Sequence, residues 1–377
     1  MNDLPLKILF YNDFQDIVGG TEVYQKLMVE GLRYYGHEVE ECFGTAKPFP
    51  KSNLTFKLQM LNKALFWQAE IGRLLKEKIR EFCPDIVHLN NNKLYTYTVL
   101  KSCSDLGIPI VSSFHDFHFL KTGGKDFLSI KRIWKSKLRS VLKKYPSAYL
   151  SHTHIVAKSL EENNLTPVKV IPLFYDERIW YNSDSANQRN ENSILYFGRI
   201  EEQKGVFDLL QAFENLKTKF PDLKLNFYGS GTAERKLTKA IENSSWPESK
   251  KYHGRVDQSM LNKAAQKTLI LVVPTKNEEP FGLTGIEGQA AGLVTIGSNT
   301  GGIPEWCLHK ETGLLFEGCD LKDLSEKIER VLMDRNIREK LLNGARIHLK
   351  QNFDRLTNIQ NTLHFYDQII ANHQKIN

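Results

Sequence analysis

At 377 residues, with 41% hydrophobic and 25% charged side chains, the chain exceeds one ordinary core and fits two domains. It shows no low-complexity tract, no repeat of about 20–50 residues and no window of about 18 uninterrupted apolar residues, which excludes fibrous, solenoid and membrane-spanning classes. The net charge of +7 lies entirely in residues 1–175, with 24 Lys+Arg against 17 Asp+Glu; the remainder has 27 of each. Five scattered cysteines (Cys42, Cys83, Cys103, Cys307, Cys319) form no CxxC, so neither a zinc site nor a disulfide framework is expected, and a reducing cytoplasm is the simplest setting. The opening MNDLPLKILFYNDF has no basic region ahead of a long apolar run, so no signal peptide is expected.

The first strand is predicted at LKILFYN (6–12), followed by VGGTE (18–22) and the helix TEVYQKLMVEGLRYYGH. Paired glycines at a helix start let backbone amides approach an anion; a tight turn accounts for them equally. DIVHLN (85–90), IPIVSSFHD (108–116), SAYLSHT and VKVIPLF (168–174) continue the series, with helical stretches between. Strand–helix alternation of this kind implies a parallel sheet covered on both faces. Ser113, His115, Asp116 and His118 end the third of these strands: HDxH could bind a metal, but no further ligand appears at suitable spacing. A histidine at a strand end can instead bond a substrate hydroxyl or assist proton transfer, and a structural histidine accounts for it as well.

Polarity rises over residues 175–192, which read as a linker, and a second α/β series follows: SILYFGRI, KLNFYGSG, KKYHGRV, LILVVPT and LVTIGSN. Arg199 and Lys204, just past a strand in FGRIEEQKG, suit a diphosphate, Arg by bidentate bonds and Lys as a point charge; two solvated surface cations are the alternative. YGSG is a second glycine turn, though not GxGxxG. In EPFGLTGIEGQAAG (279–292), Phe281, Gly282 and Leu283 begin a helix whose free amides can hold phosphate. Glu279 precedes that helix and Glu287 lies within it; carboxylates there suit sugar and ribose hydroxyls, whereas Glu287 alone could be an ordinary exposed helical acid.

Taken together, GGTE (19–22), HD (115–116), GRIEEQKG (198–205), YGSG (228–231), the E-x7-E element from Glu279 to Glu287 and GGIPE (301–305) resemble the retaining glycosyltransferases of family 4. The resemblance implies the GT-B fold, two Rossmann-like α/β domains with parallel sheets facing each other across a cleft. Residues 1–175 would form the acceptor domain, 176–192 the linker, 193–355 the donor domain and 356–377 a helix crossing back. It implies a hexosyltransferase (EC 2.4) using a UDP- or GDP-linked sugar, with no bound metal and no cofactor; no DxD motif occurs. Carried over residue by residue, Gly19 and Gly20 would meet the diphosphate, and His115 the donor sugar near its reacting carbon. Arg199 and Lys204 would stabilise the leaving group, and Glu279 would hold sugar hydroxyls. The amides of Phe281, Gly282 and Leu283 would lie near sugar and phosphate, Glu287 would bind ribose, and Gly229, Arg255 and Val256 would border the base. The chain departs from the family at Gly288-Gln289, where an alanine-rich turn is usual, and at IPLFYDE in place of IPNGVD, both near where donor choice would be set.

Residues 121–144 hold nine basic residues and one acid, with apolar residues at helical spacing. This fits a membrane-surface helix carrying Lys131, Arg132, Lys135, Lys137 and Arg139, and equally a helix packed on the sheet with solvated cations. The first reading would suit a lipid-linked acceptor at the inner face of the cytoplasmic membrane, in surface polysaccharide, lipopolysaccharide or glycolipid synthesis. Rival readings are a sugar-nucleotide epimerase or hydrolase of the same fold, and a basic nucleic-acid binder, for which no recognition module is present.

Overall fold

The computed structural model describes residues 4–15, 19–45, 62–92, 94–117, 120, 130–181 and 190–376. The chain forms two compact units, residues 1–173 with 356–377, and residues 174–355.

In the first unit the elements are β1 (Lys7–Phe14), α1 (Gly20–Tyr34), β2 (Glu38–Thr45), α2 (Ala69–Phe82), β3 (Ile86–Leu89), α3 (Thr96–Asp105), β4 (Ile110–Phe114), α4 (Ile130–Lys144), β5 (Ala148–Ser151), α5 (His154–Glu162) and β6 (Val168–Val170). The strands make one parallel sheet in the order β2-β1-β3-β4-β5-β6, with Ile8 facing Val39 on one side and Ile86 on the other. Strands covered on both faces read as unbroken apolar runs, and β3 is buried at every position. Helix α2 meets the core through Gly72, Leu75 and Ile79, with Ile71 and Phe82 partly packed beside them, while Glu70, Arg73, Lys76, Glu77, Lys78, Arg80 and Glu81 carry its charge, the stripe expected of a covering helix.

The second unit runs β7 (Asn190–Phe197), α6 (Val206–Lys217), β8 (Lys224–Tyr228), α7 (Glu234–Glu242), β9 (Lys250–Tyr252), α8 (Gln258–Gln266), β10 (Thr268–Val273), α9 (Leu283–Ala290), β11 (Val294–Ser298), α10 (Ile303–Trp306), β12 (Leu314–Phe316), α11 (Leu321–Met333) and α12 (Arg335–Asn352). Its sheet is also parallel, in the order β12-β11-β10-β7-β8-β9. Asp320 and Asp334 accept the first backbone N–H groups of α11 and α12, which explains where those helices begin.

The last helix, α13 (Arg355–Ile376), belongs with the first unit from Leu356 onward. Tyr366 on it is hydrogen-bonded to His88 of β3, and Asn358 donates to the carbonyl of Pro172. The segment expected as a polar linker carries a core anchor: Trp180 is 1% exposed and stacks on Phe197 at 5.4 Å. Polar neighbours in sequence hid it.

Candidate active site

In each sheet the catalytically capable residues lie just past the carboxyl ends of strands, where parallel sheets leave open backbone and helix starts. In the second unit the loops after β7 and β8 are joined backbone to backbone. Gly198 N–H donates to Tyr228 O (3.1 Å) and Ile200 N–H to Ser230 O (3.0 Å). Gly229 (φ +129°) sits so close that a Cβ would stand 1.8 Å from Gly198 O, so this contact admits only glycine. Gly229 N–H in turn donates to Gly254 O, beside exposed Arg255 and half-buried Val256.

Arg199 is exposed (59%) yet fixed, because Nη1 donates to both oxygens of buried Glu201 at 3.0 Å. Lys204, on the 3-10 turn after β7, forms an ion pair with Glu279 from the loop after β10, the strand next to β7. Both side chains are mostly shielded (18% and 16% exposed), and Thr275 Oγ1 donates to the same Glu279 oxygen. The Glu279 backbone is clamped by the GGIPE segment. Gly302 N–H donates to Glu279 O (2.7 Å), and a Cβ on Gly301 (φ +58°) would stand 2.1 Å from that oxygen. Gly282, in the left-handed region, caps α9, and Trp306 Nε1 donates to Phe281 O (2.7 Å), holding the turn from which α9 starts. Glu287 is no exposed helical acid: it is buried, and burial pushes its carboxyl up to about 8, the nearby Trp180 indole N–H offsetting part of that rise without full hydrogen-bond geometry.

The first unit treats its glycine loop differently from expectation. Gly20 opens α1, but Gly19 N–H donates to its own Glu22 carboxylate (2.8 Å), so that amide is already taken. At the ends of β3 and β4, Thr21, Asn90, Asn92, Ser113, His115 and Asp116 line a pocket of about 20 Å³, room for a hydroxyl or one water. Asn90 Nδ2 donates to Thr21 O and Gln25 Oε1, which leaves its Oδ1 to accept from His115 Nε2 (2.9 Å). In its neutral form His115 therefore carries its lone pair on Nδ1. Its ring lies against His152 at 4.5 Å and Tyr24 at 5.3 Å. Behind it, buried His88 bridges Ser113 Oγ (2.6 Å) and Tyr366, and desolvation lowers His88 to about 3 and His152 to about 4. Sequence reasoning missed Asn90, Glu201, His88 and His152; the asparagine run at the end of β3 was the one available signal.

In the basic helix α4, Leu138 and Leu142 are fully buried, and the partly buried Trp134 and Val141 pack on the same core, so the described apolar positions pack on the sheet. Of its cations, Lys137 lies over the exposed Phe66 ring (4.5 Å) and Arg139 donates to Asn163; Lys135 is half-buried. The side chains of Lys131 and Arg132, like His118, lie outside the described residues. Among the described residues no three His, Cys, Asp or Glu side chains are grouped to hold a metal, and no helix is long and apolar enough to cross a membrane.

Two family models match in tandem, "Glycosyltransferase Family 4" over residues 18–178 and "Glycosyl transferases group 1" over residues 181–348. The glycogen synthase of Mycobacterium tuberculosis is 24% identical over 278 residues, 73% of this chain; the chain spans 66% of that relative's length. Among solved structures, a sucrose-phosphate synthase from Thermosynechococcus elongatus has a TM-score of 0.78 at 17% identity, covering 97% of this chain and 99% of its own. The Anabaena protein HepE in complex with UDP and glucose has a TM-score of 0.74 at 16% identity, covering 96% and 100%. The two parallel six-stranded sheets, the loops that follow their strands and the paired family matches agree: the chain belongs to the family 4 glycosyltransferases of the GT-B fold.

Proposed function

We propose that the chain is a retaining transferase that moves a hexose-type sugar from a UDP- or GDP-linked donor to a lipid-linked or saccharide acceptor, without a bound metal, in surface polysaccharide, lipopolysaccharide or glycolipid synthesis. The observation that carries this reading is the Lys204–Glu279 pair beside Arg199, at the ends of neighbouring strands and next to the start of α9. A donor diphosphate brings the negative charge that Lys204 now takes from Glu279. Lys204 and Arg199 then neutralise the leaving group, and the released Glu279 carboxylate accepts sugar hydroxyls. The first amides of α9 add a fixed partial positive charge at the phosphate. Glu287 takes the ribose hydroxyls, and the Gly229, Arg255 and Val256 region borders the base.

In the first unit, His115 is assigned to a sugar hydroxyl, which would donate to Nδ1, and Gly20 rather than the occupied Gly19 amide to an anionic oxygen. The departing diphosphate removes the acceptor proton as the acceptor oxygen attacks from the leaving side, so the anomeric configuration is kept. The protein's main contribution is electrostatic stabilisation of the leaving group. HepE, crystallised with UDP and glucose, supports the nucleotide-sugar reading. The basic rim of α4 is assigned to an anionic membrane surface, touched through charge.

Turnover of a sugar nucleotide by Glu279→Gln is expected to fall about 10²–10³-fold, with nucleoside-diphosphate affinity nearly unchanged. Arg199→Ala and Lys204→Ala weaken that affinity in calorimetry. Near-normal transfer by Glu279→Gln, or an inverted product anomer by NMR, would overturn the assignment. Donor hydrolysis or epimerisation without acceptor, at the rate of transfer, would favour the rival enzyme classes.

A further inference from the structure

Three side chains in series run from edge strand β2 to His115. Glu41 on β2 is at the outer end, and its Oε1 accepts from Gln25 Nε2 of α1 (2.9 Å). Gln25 Oε1 accepts from Asn90 Nδ2 (3.1 Å), and Asn90 Oδ1 accepts from His115 Nε2 (2.9 Å). Glu41 is half-buried, Gln25 is 2% exposed and Asn90 is fully buried. Gln25 shares the buried face of α1 with Met28 and Leu32, where an amide needs partners, and these bonds supply them. Neither Gln25 nor Glu41 lines the small pocket; both stand behind the Asn90 and His115 that do.

The series has one direction. A carboxylate accepts and cannot donate, so Glu41 obliges Gln25 to turn its NH2 outward and its oxygen to Asn90. A reversed Gln25 would set oxygen against carboxylate at one end and NH2 against NH2 at the other. Asn90 is held the same way round, because its amide also donates to the Thr21 carbonyl (3.2 Å). A reversed Asn90 would leave buried polar groups unpaired at both contacts, the outcome that buried networks avoid. The Asn90 oxygen therefore faces the ring, and the neutral His115 carries its proton on Nε2.

We propose that Gln25 and Glu41 are positioning residues that hold His115 in the Nε2–H tautomer, with Nδ1 as the acceptor. The proposal rests on the reading of His115 as acceptor of a sugar hydroxyl and supplies what keeps it one. The test reads the tautomer in the ligand-free chain, by long-range 1H–15N correlation with 15N-labelled histidine at about pH 8, where an ordinary imidazole is neutral. Loss of a signal in His115→Gln identifies the residue. The wild-type chain should show the Nε2–H pattern. Glu41→Lys, which puts a donor where the series needs an acceptor, and Gln25→Met, which removes the middle link, should shift it toward the Nδ1–H pattern. Glu41→Gln, whose amide oxygen still accepts, should restore the Nε2–H pattern. Sugar-nucleotide turnover by Glu41→Lys should fall about tenfold or more, with UDP affinity unchanged. Glu41 is half-buried, so the Glu41 variants decide the matter even where Gln25→Met fails to fold. An unshifted pattern in Glu41→Lys, or an Nδ1–H pattern in the wild-type chain, would overturn the proposal whatever the transfer rate. A shifted tautomer with unchanged turnover would instead leave the positioning series standing and sink the role of His115 at the sugar.

Discussion

Glu287 and His152 are both buried ionisable groups, and they pull the pH dependence of the two units in opposite directions. Glu287 has a folded-state pKa of about 8, above its ordinary value near 4.5. Its contribution is fully favourable below the unfolded value and is lost as pH rises through 8, because the unfolded chain ionises first. Each tenfold change in proton affinity is worth about 1.4 kcal/mol, so the loss approaches several kcal/mol, on the order of 3–5. His152 is lowered to about 4 and His88 to about 3 by desolvation. Their contribution is present above pH 6.5 and is lost as pH falls toward 4, where the unfolded imidazoles bind protons and the folded ones do not. Thermal unfolding of the ligand-free protein between pH 4.5 and 8.5 should show this split. Glu287→Gln should raise the melting temperature most at pH 8.5 and least at pH 5, and His152→Gln should help only below pH 6. A Glu287→Gln gain that is the same at both ends would refute the buried neutral carboxyl.

At the scale of the element, α9 explains why the chain leaves the family pattern. Gly288 lies against β10, where a Cβ would stand 2.2 Å from Leu271 Cδ2, and Gly285 lies equally tight on Trp306. Gln289 is buried and its amide donates to Thr295 Oγ1, Trp306 O and Thr312 O, each at 3.2 Å, tying α9 to β11 and to the turn before β12. These are packing and bonding roles inside the unit, from which the expectation is that the departure at Gly288-Gln289 supports the helix and leaves donor choice unchanged. Gln289→Ala is accordingly expected to cost about 2–3 kcal/mol in urea unfolding, with donor preference unchanged. A switch between UDP- and GDP-sugars would contradict this. The same helix shows what the sequence could disclose. Apolar runs located the strands, and Glu279, Gly282 and Glu287 were visible from spacing and residue type. Their partners were not, because Trp180 reaches Glu287 from over a hundred residues away through a polar segment, and Glu201 reads in sequence as one more surface acid. Periodicity likewise marked the apolar stripe of α4 but not what covers it.

For the whole molecule the decisive quantity is the placement of charge, since residues 1–175 carry the entire +7 while the rest is neutral. With Leu138 and Leu142 committed to the core, a membrane contact through α4 has to be electrostatic and therefore salt-sensitive. Lys137 over Phe66 and Lys76 over Trp67 place cations beside exposed rings on the same unit, which in the proposed membrane contact would add shallow contact without an insertion helix. Each basic side chain near an anionic surface contributes about 1 kcal/mol. Reversing Lys135, Lys137 and Arg139 together to Glu should therefore reduce vesicle binding by at least about 100-fold. Flotation with phosphatidylglycerol-containing vesicles at 50 mM NaCl should recover the wild-type chain and not the triple variant, and about 300 mM NaCl should release it. UDP affinity should be equal in the two proteins, since none of the three substituted residues is among the proposed donor contacts. Binding that persists at high salt, or to phosphatidylcholine alone, would show that the exposed rings insert and that charge is not the anchor. No binding at low salt would leave the basic rim as solvated surface and point to a saccharide acceptor free of the membrane.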